Sequence, residues 1–260
     1  MSWRSGLGPA CAGLACEWLR QRQGGSRRLD LVPMRGFTTV TCSESWTRNL
    51  LFLPPSGFWS DDDWYDLQMA RRLPLCEPLL REFVYALPPL SGKRVVDIGA
   101  GTGRSAAAVA SAYPRAQLTL IEPDEGRLRM ALVKLRRVRE ASSVPLQEEI
   151  PEPQILATAV SSCGPLPGAA HGYDCVLALQ AVRHIVAPAA HYAQKLGLPV
   201  VSGPGQIREG YLNMFRGIYS SLAPGGHVFI GDHLVHGHPG VYDHCKLLEE
   251  AGFAEIDVAR

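Results

Sequence analysis

The chain has 260 residues, 46% of them hydrophobic and 20% charged, with a formal net charge of +1. That length admits one large domain or a domain with an appendage, and that composition supplies an ordinary core. The near-neutral balance argues against a surface built for non-specific nucleic-acid binding, so nucleic acid is not indicated as a partner.

Residues 1–36 hold six arginines (Arg4, Arg20, Arg22, Arg27, Arg28, Arg35), no lysine, and only two acids, Glu17 and Asp30. Leu7, Cys11, Leu14 and Trp18 fall on one face of a helix. An arginine-rich, acid-poor, amphipathic start describes a mitochondrial transit segment. A flexible tail, or sequence upstream of a later start such as Met34, fits as well, so cytoplasmic and mitochondrial locations both stay open. Residues 37–58 form an irregular segment with strand-like patches, and the main domain is expected over 59–260. Ser60 followed by Asp61, Asp62 and Asp63 starts a helix that runs to about Arg72. A second begins at Pro78, with Leu79, Leu80, Phe83, Val84 and Leu87 apolar, and stops at Pro88. No apolar stretch is long and unbroken enough to span a bilayer. The seven cysteines include no Cys-x-x-Cys pair and read as reduced thiols, not a disulfide frame or zinc site.

The chain is organised around Arg94-Val95-Val96-Asp97-Ile98-Gly99-Ala100-Gly101-Thr102-Gly103-Arg104. Val95, Val96 and Ile98 suit a strand covered on both faces. Gly99, Gly101 and Gly103 allow a tight turn and close approach of a ligand to the backbone. The helix expected over Ser105 to Ala112 aims its free N–H groups at that ligand. A second strand, Gln117 to Ile121, ends at Glu122, nineteen positions after Gly103. A doubly wound fold uses an acid at that place to hydrogen-bond the hydroxyls of a ribose; the alternative is a solvated strand-end glutamate.

Val95 to Gly103 resembles the first motif of the class I S-adenosylmethionine-dependent methyltransferases: an acid, Gly-x-Gly-x-Gly, then an acid closing the second strand. The glycine spacing differs from the nicotinamide fingerprint Gly-x-Gly-x-x-Gly; position 104 is Arg. The resemblance runs from about Trp59 to the C-terminus. It implies an α/β fold, a doubly wound, mostly parallel, Rossmann-like sheet, with S-adenosylmethionine as cofactor. Its methionine part would lie over Gly99, Gly101 and Gly103, its ribose on Glu122, with Asp97 supporting the loop and the amino group. In that family, helices ahead of the first strand cover the cofactor, a role open to Trp59, Trp64 and Tyr65, though aromatics at this spacing also serve as packing.

After Glu122, Asp124 caps a helix with Leu128, Ala131, Leu132, Leu135 and Val138 on its apolar side. Its other face carries Arg127, Arg129, Lys134, Arg136, Arg137 and Arg139, either solvated or facing an acidic partner. The third strand is expected over Gln154 to Val160. Where the family places an acid after it, this chain has Ser161, Ser162 and Cys163. Tyr173 to Leu179 is the fourth strand, and Tyr173-Asp174 resembles the family's aromatic-acid pair. Leu179, Gln180, Arg183 and His184 then face the methyl end of the cofactor. His184 is the first candidate to deprotonate or orient the acceptor; a hydrogen bond to a loop carbonyl is its other reading.

Val186 to Gln206 is longer than the family minimum and reads as a lid or substrate loop. A helix follows, marked by Ile207, Tyr211, Met214, Phe215, Ile218, Tyr219 and Leu222. Leu222-Ala223-Pro224-Gly225-Gly226 resembles the family's turn before the fifth strand, His227 to Gly231. Asp232 and His233 close that strand on the ligand side. His236, His238 and His244 follow without a helical face or carboxylate set, so no metal is expected. Val241 to Gly252 is the last helix, and Phe253 to Val258 a sixth strand. The family's final antiparallel strand has no counterpart, which implies an incomplete chain or a trimmed fold and leaves activity open.

The reading is therefore a methyltransferase using S-adenosylmethionine on an unidentified acceptor, a small molecule by preference. Asp97, Gly99, Gly101, Gly103, Glu122 and Leu179 bind cofactor, and His184 and His233 serve catalysis. The alternatives are a non-catalytic methyltransferase-like interaction protein and a nicotinamide-dependent oxidoreductase. Acceptor and oligomeric state are not legible.

Overall fold

The computed structural model describes residues 66, 76–142, 150–160, 164–198, 201, 203–232 and 237–258. The expected tail 1–36, the segment 37–58 and all but Asp66 of the first expected helix lie outside them, as do Ser161 to Cys163 and His233. Pro54–Arg260 forms one compact unit.

The elements run α1 (Cys76–Ala86), β1 (Arg94–Ile98), α2 (Arg104–Ala112), β2 (Gln117–Ile121), α3 (Glu125–Glu140), β3 (Gln154–Leu156), β4 (Tyr173–Leu179), α4 (Val182–Val186), α5 (Ala190–Leu196), α6 (Pro204–Ser221), β5 (Leu222–Gly231) and α7 (Val241–Ala251). The strands form one sheet in the order β3-β2-β1-β4-β5, with every pairing parallel. This is the expected doubly wound α/β architecture. Strand order reverses between β1 and β4, so their carboxyl ends bound the crevice in which such sheets take ligands.

Strand periodicity divides the core in two. Val95, Leu118, Leu120 and Leu177 point to one face and pack with Phe83, Val109, Leu128 and Leu135 from α1, α2 and α3. Val96, Ile98, Val176 and Ala178 point to the other and pack with Val182, Tyr211, Phe215, Ile218 and Leu247 from α4, α6 and α7. Side chains alternate across a strand, so consecutive apolar residues feed both layers. Each fully buried Val, Leu, Ile or Phe contributes about 1.5–3 kcal/mol by leaving water.

The amino ends of β1 and β4 are fastened away from the crevice. Arg94 donates its backbone N–H to Asp174 Oδ2 at 2.8 Å, and its guanidinium also approaches that carboxylate. That backbone bond leads the forces holding the Asp174 carboxyl below its ordinary value. Tyr173 donates its hydroxyl to the Pro167 carbonyl at 2.7 Å. The aromatic-acid pair thus acts as a strand-end fastening.

Four boundaries differ from expectation. β3 stops at Leu156 because Thr158 turns back to donate its N–H to the Leu156 carbonyl at 2.9 Å. β5 begins at Leu222, ahead of the expected turn. Leu222 pairs with Tyr173 and His227 with Cys175, so four residues (Ala223 to Gly226) bulge opposite the single residue Asp174. The insert expected as a loop contains α5, an alanine-bearing turn of helix ended by Gly197 in the left-handed region. No strand forms over Phe253 to Val258. Gly252 at φ +107° ends α7, and Phe253 donates its N–H back to the Leu248 carbonyl at 3.1 Å. Its ring packs edge-on to Tyr219 at 5.2 Å. Phe253 therefore completes a helix stop, and Glu255 at φ +56° breaks the extended path beyond it.

Candidate active site

The β1–α2 loop is bent by three consecutive alternate glycines in the left-handed region, with φ of 63°, 54° and 77° at Gly99, Gly101 and Gly103. Their surroundings differ. A Cβ on Gly99 would stand 2.8 Å from the Ala181 Cβ, and one on Gly103 would stand 2.5 Å from the Ala131 Cβ. These two let α4 and α3 close on the loop. Among the described residues a Cβ on Gly101 would meet only the Gly99 carbonyl oxygen at 3.9 Å, so none of them crowds Gly101.

Glu122 is only 3% exposed. Its Oε2 accepts the Gly101 N–H at 3.0 Å, and its Oε1 accepts the Asp124 N–H at 3.1 Å. The acid at the tip of β2 and the glycine bend at the tip of β1 are therefore joined through one carboxylate. A carboxylate at this place accepts hydrogen bonds on both oxygens, the chemistry that a diol donor also needs. Asp124 next caps α3, accepting from Gly126 and Arg127.

Asp97 lies under the loop, 1% exposed. Ser105 donates its hydroxyl to Asp97 Oδ2 at 2.5 Å, which ties the first turn of α2 to β1. Burial pushes the Asp97 carboxyl up to about 7, against the lowering influence of Ser105 and the Ala106 backbone; nearby Glu122 raises it further.

A third fastening holds the loop from outside. Thr102 donates its hydroxyl to Asp66 Oδ1 at 2.6 Å. Lys134 of α3 donates to the Thr102 carbonyl at 2.7 Å and pairs with Asp66. Burial lowers the Lys134 ammonium from its ordinary value while Asp66 opposes that shift.

At the crevice's other wall, Leu179 is half-buried and pairs with Gly231, where a Cβ would collide with the Leu179 Cδ1 at 2.5 Å. Gln180 follows at φ +56°, a conformation uncommon for a non-glycine residue, and donates its N–H to the Gly231 carbonyl at 2.5 Å. His184 is exposed on α4, and its backbone N–H closes on the Ala181 carbonyl at 2.9 Å. His233 lies outside the described residues. Among the described residues, no group of three His, Cys, Asp or Glu side chains could hold a metal ion.

The structure thus draws Asp97, Gly99, Gly101, Gly103 and Glu122 into one cradle, with Leu179 two strands away from Glu122. A family model described as a methyltransferase domain matches residues 65–256. The chain belongs to the S-adenosylmethionine-dependent methyltransferase family. S-adenosylmethionine is the cofactor that goes with this membership. Solved structures similar to this methyltransferase domain include the cyclase SpnF, at 19% identity over 70% of this chain and 59% of that one, with a TM-score of 0.47. Mitomycin 7-O-methyltransferase MmcR is similar at 18% identity over 74% and 47%, with a TM-score of 0.42. Haemonchus contortus phosphoethanolamine N-methyltransferase 2, in complex with S-adenosyl-L-methionine, gives 17% identity over 70% and 38%, with a TM-score of 0.43. The chain spans 38–59% of the length of these three proteins. No curated protein matches it.

Two groupings around this cradle have no signature in the sequence. The Asp66–Thr102–Lys134 fastening had no local signal, since its members are 32 and 36 residues apart. Tyr211, read as a helix core position, is buried but shares a hydrogen bond with His238 Nδ1 at 3.1 Å. Arg183 and Asp232 form a long ion pair at 3.9 Å beside it.

Proposed function

We propose that this methyltransferase domain binds S-adenosylmethionine across the tips of β1 and β2 and methylates a small molecule. The observation that carries the reading is the 3.0 Å bond between the Gly101 N–H and the Glu122 carboxylate. It supports one ligand touching both, because no described residue crowds Gly101 and the carboxylate suits a ribose diol. Glu122 would hold the ribose. Gly99, Gly101 and Gly103 would admit the amino-acid part, Asp97 would steady the loop beneath it, and Leu179 would line the far wall.

The bound sulfonium supplies an already activated methyl group. The chain's own work is to align an acceptor with it and keep water out, and such alignment can contribute several kcal/mol of barrier lowering. His184 and His233 are proposed as acceptor-side groups, by their positions after β4 and β5. Near-neutral charge favours a small-molecule acceptor over nucleic acid.

Calorimetry of the full chain with S-adenosylmethionine, S-adenosylhomocysteine, NAD and NADP tests this. Binding of the two sulfur ligands is expected; binding of the dinucleotides alone would overturn the reading and favour an oxidoreductase.

A further inference from the structure

Five titratable side chains converge beyond the carboxyl ends of β4 and β5, apart from the cradle at β1 and β2. Arg183 comes from α4, whose entry residue Ala181 lies against Gly99. Asp232 follows β5 and pairs with Arg183 at 3.9 Å, longer than a hydrogen bond. Tyr211 rises from α6, His244 from α7, and His238 from the connection between β5 and α7.

The arrangement is directional. Tyr211 is 1% exposed, whereas His238 is half-buried. The two share the bond at 3.1 Å. Their rings, 6.1 Å apart, meet edge to face, as do those of Tyr211 and His244 at 5.1 Å. His244 Nδ1 lies 3.0 Å from the Gly240 carbonyl, which can only accept, so Nδ1 carries the hydrogen. His244 is thereby committed to orienting the cluster from behind. Among the described residues Arg183 Nε is buried with no hydrogen-bond partner, the Asp232 carboxylate standing 3.9 Å away, so the guanidinium brings positive charge to the cluster.

Resting on the methyltransferase reading above, we propose that Arg183, Tyr211, Asp232 and His238 form the acceptor side of the site. They take a small molecule bearing a weakly acidic hydroxyl, a phenol or enol, and His238 accepts its proton.

The groups facing His238 fit that task. Burial, Arg183 and His244 lower its imidazole from the ordinary value, and Asp232 opposes them, so it is neutral and able to accept a proton at pH 7. Burial holds the Tyr211 hydroxyl protonated, with Asp232 adding to the effect and Arg183 opposing it. Tyr211 Oη can therefore accept from His238 Nδ1–H, the tautomer that leaves a lone pair on Nε2. Arg183 beside it favours an oxyanion and disfavours an ammonium. Sulfur hydrogen-bonds weakly, so this polar lining suits oxygen better than thiol. Phe215, 6.0 Å from the Tyr211 ring, adds an aromatic wall. In the transfer the acceptor's O–H bond breaks and its proton goes to His238 Nε2. The oxygen's electron pair takes the methyl carbon, and the carbon–sulfur electrons stay on sulfur.

The test uses the full chain saturated with S-adenosylhomocysteine and 4-nitrophenol as probe, whose phenolate alone absorbs in the visible. Wild type is expected to bind the probe and ionise it below its solution midpoint. His238→Gln should lose that ionisation while keeping S-adenosylhomocysteine affinity, and should lose roughly 100-fold or more in transfer to the phenol. Tyr211→Phe, which keeps the ring in place, should shift the ionisation midpoint, and Arg183→Lys should retain more ionisation than Arg183→Met. Probe ionisation unaltered by His238→Gln, no probe binding, or transfer only to amine or thiol probes overturns the proposal while S-adenosylhomocysteine still binds. Failure of S-adenosylhomocysteine itself to bind overturns the reading beneath it as well.

Discussion

Glu122 holds two backbone N–H groups from two different loops, one on each oxygen, so its carboxylate shapes the cradle before any ligand meets it. Glu122→Gln turns one of those acceptors into an NH2 facing an N–H. The expected loss in S-adenosylhomocysteine affinity is about 1.5–3 kcal/mol, roughly 10- to 100-fold by calorimetry; unchanged affinity would remove Glu122 from the site. Asp97 makes a different prediction. Its carboxyl is raised from 3.8 to about 7, so between these values the folded chain holds a proton that the unfolded chain has lost. Stability contributed by Asp97 is full below about pH 4, falls as pH rises to about 7, and is level above. The shift of about three units corresponds to a loss on the order of 4 kcal/mol. Asp97→Asn keeps an oxygen for Ser105 and cannot ionise. Its stability relative to wild type should rise from pH 4 to 7, read by urea unfolding at several pH values. A pH-independent difference would show Asp97 to be ionised throughout.

Among the elements, α3 shows what periodicity reveals and what it hides. Leu128, Ala131 and Leu135 were legible as its buried stripe and are buried; Leu132, at the same spacing, is 37% exposed because the stripe is narrower than the pattern. The basic face was legible only as a face. Arg129, Arg136 and Arg137 are exposed, but Arg139 donates to the Ile150 carbonyl at 2.6 Å and Lys134 clasps Asp66 and Thr102. No local rule distinguishes a solvated lysine from a clasping one when the partners are set by tertiary packing. The sixth strand failed for a related reason. Phe253 has strand character in sequence, yet the helix stop at Gly252 uses its ring and its N–H first. Lys134→Met tests the clasp. With the Lys134 and Asp66 side chains only 20% and 27% exposed, it should destabilise the fold by about 1–3 kcal/mol in urea unfolding, with Lys134→Arg recovering part. An unchanged midpoint would show that the clasp holds nothing.

At the scale of the molecule, the cradle was legible because a local backbone requirement writes itself into residue types. The turn needs left-handed residues, the two close helix approaches need an absent Cβ, and the strand tip needs an acid. The acceptor side was not legible because Arg183, Tyr211, Asp232 and His238 come from separate elements joined only by the sheet's winding. The same contrast gives a control internal to the chain. Gly101 and Gly92 both lie in the left-handed region, at φ 54° and 74°. Neither would place a Cβ in collision with a described residue, and Gly92 precedes β1 at the opposite end of the sheet. Alanine at either should cost about 1–2 kcal/mol of backbone strain. Only Gly101→Ala puts a methyl group into the space over the glycine bend. With S-adenosylhomocysteine at about 100 times its dissociation constant, wild type and Gly92→Ala should each gain about 2.7 kcal/mol, several degrees in Tm. Gly101→Ala should gain little at the same concentration. Equal ligand-induced rises in both variants would separate strain from occlusion and move the cofactor off the β1 tip.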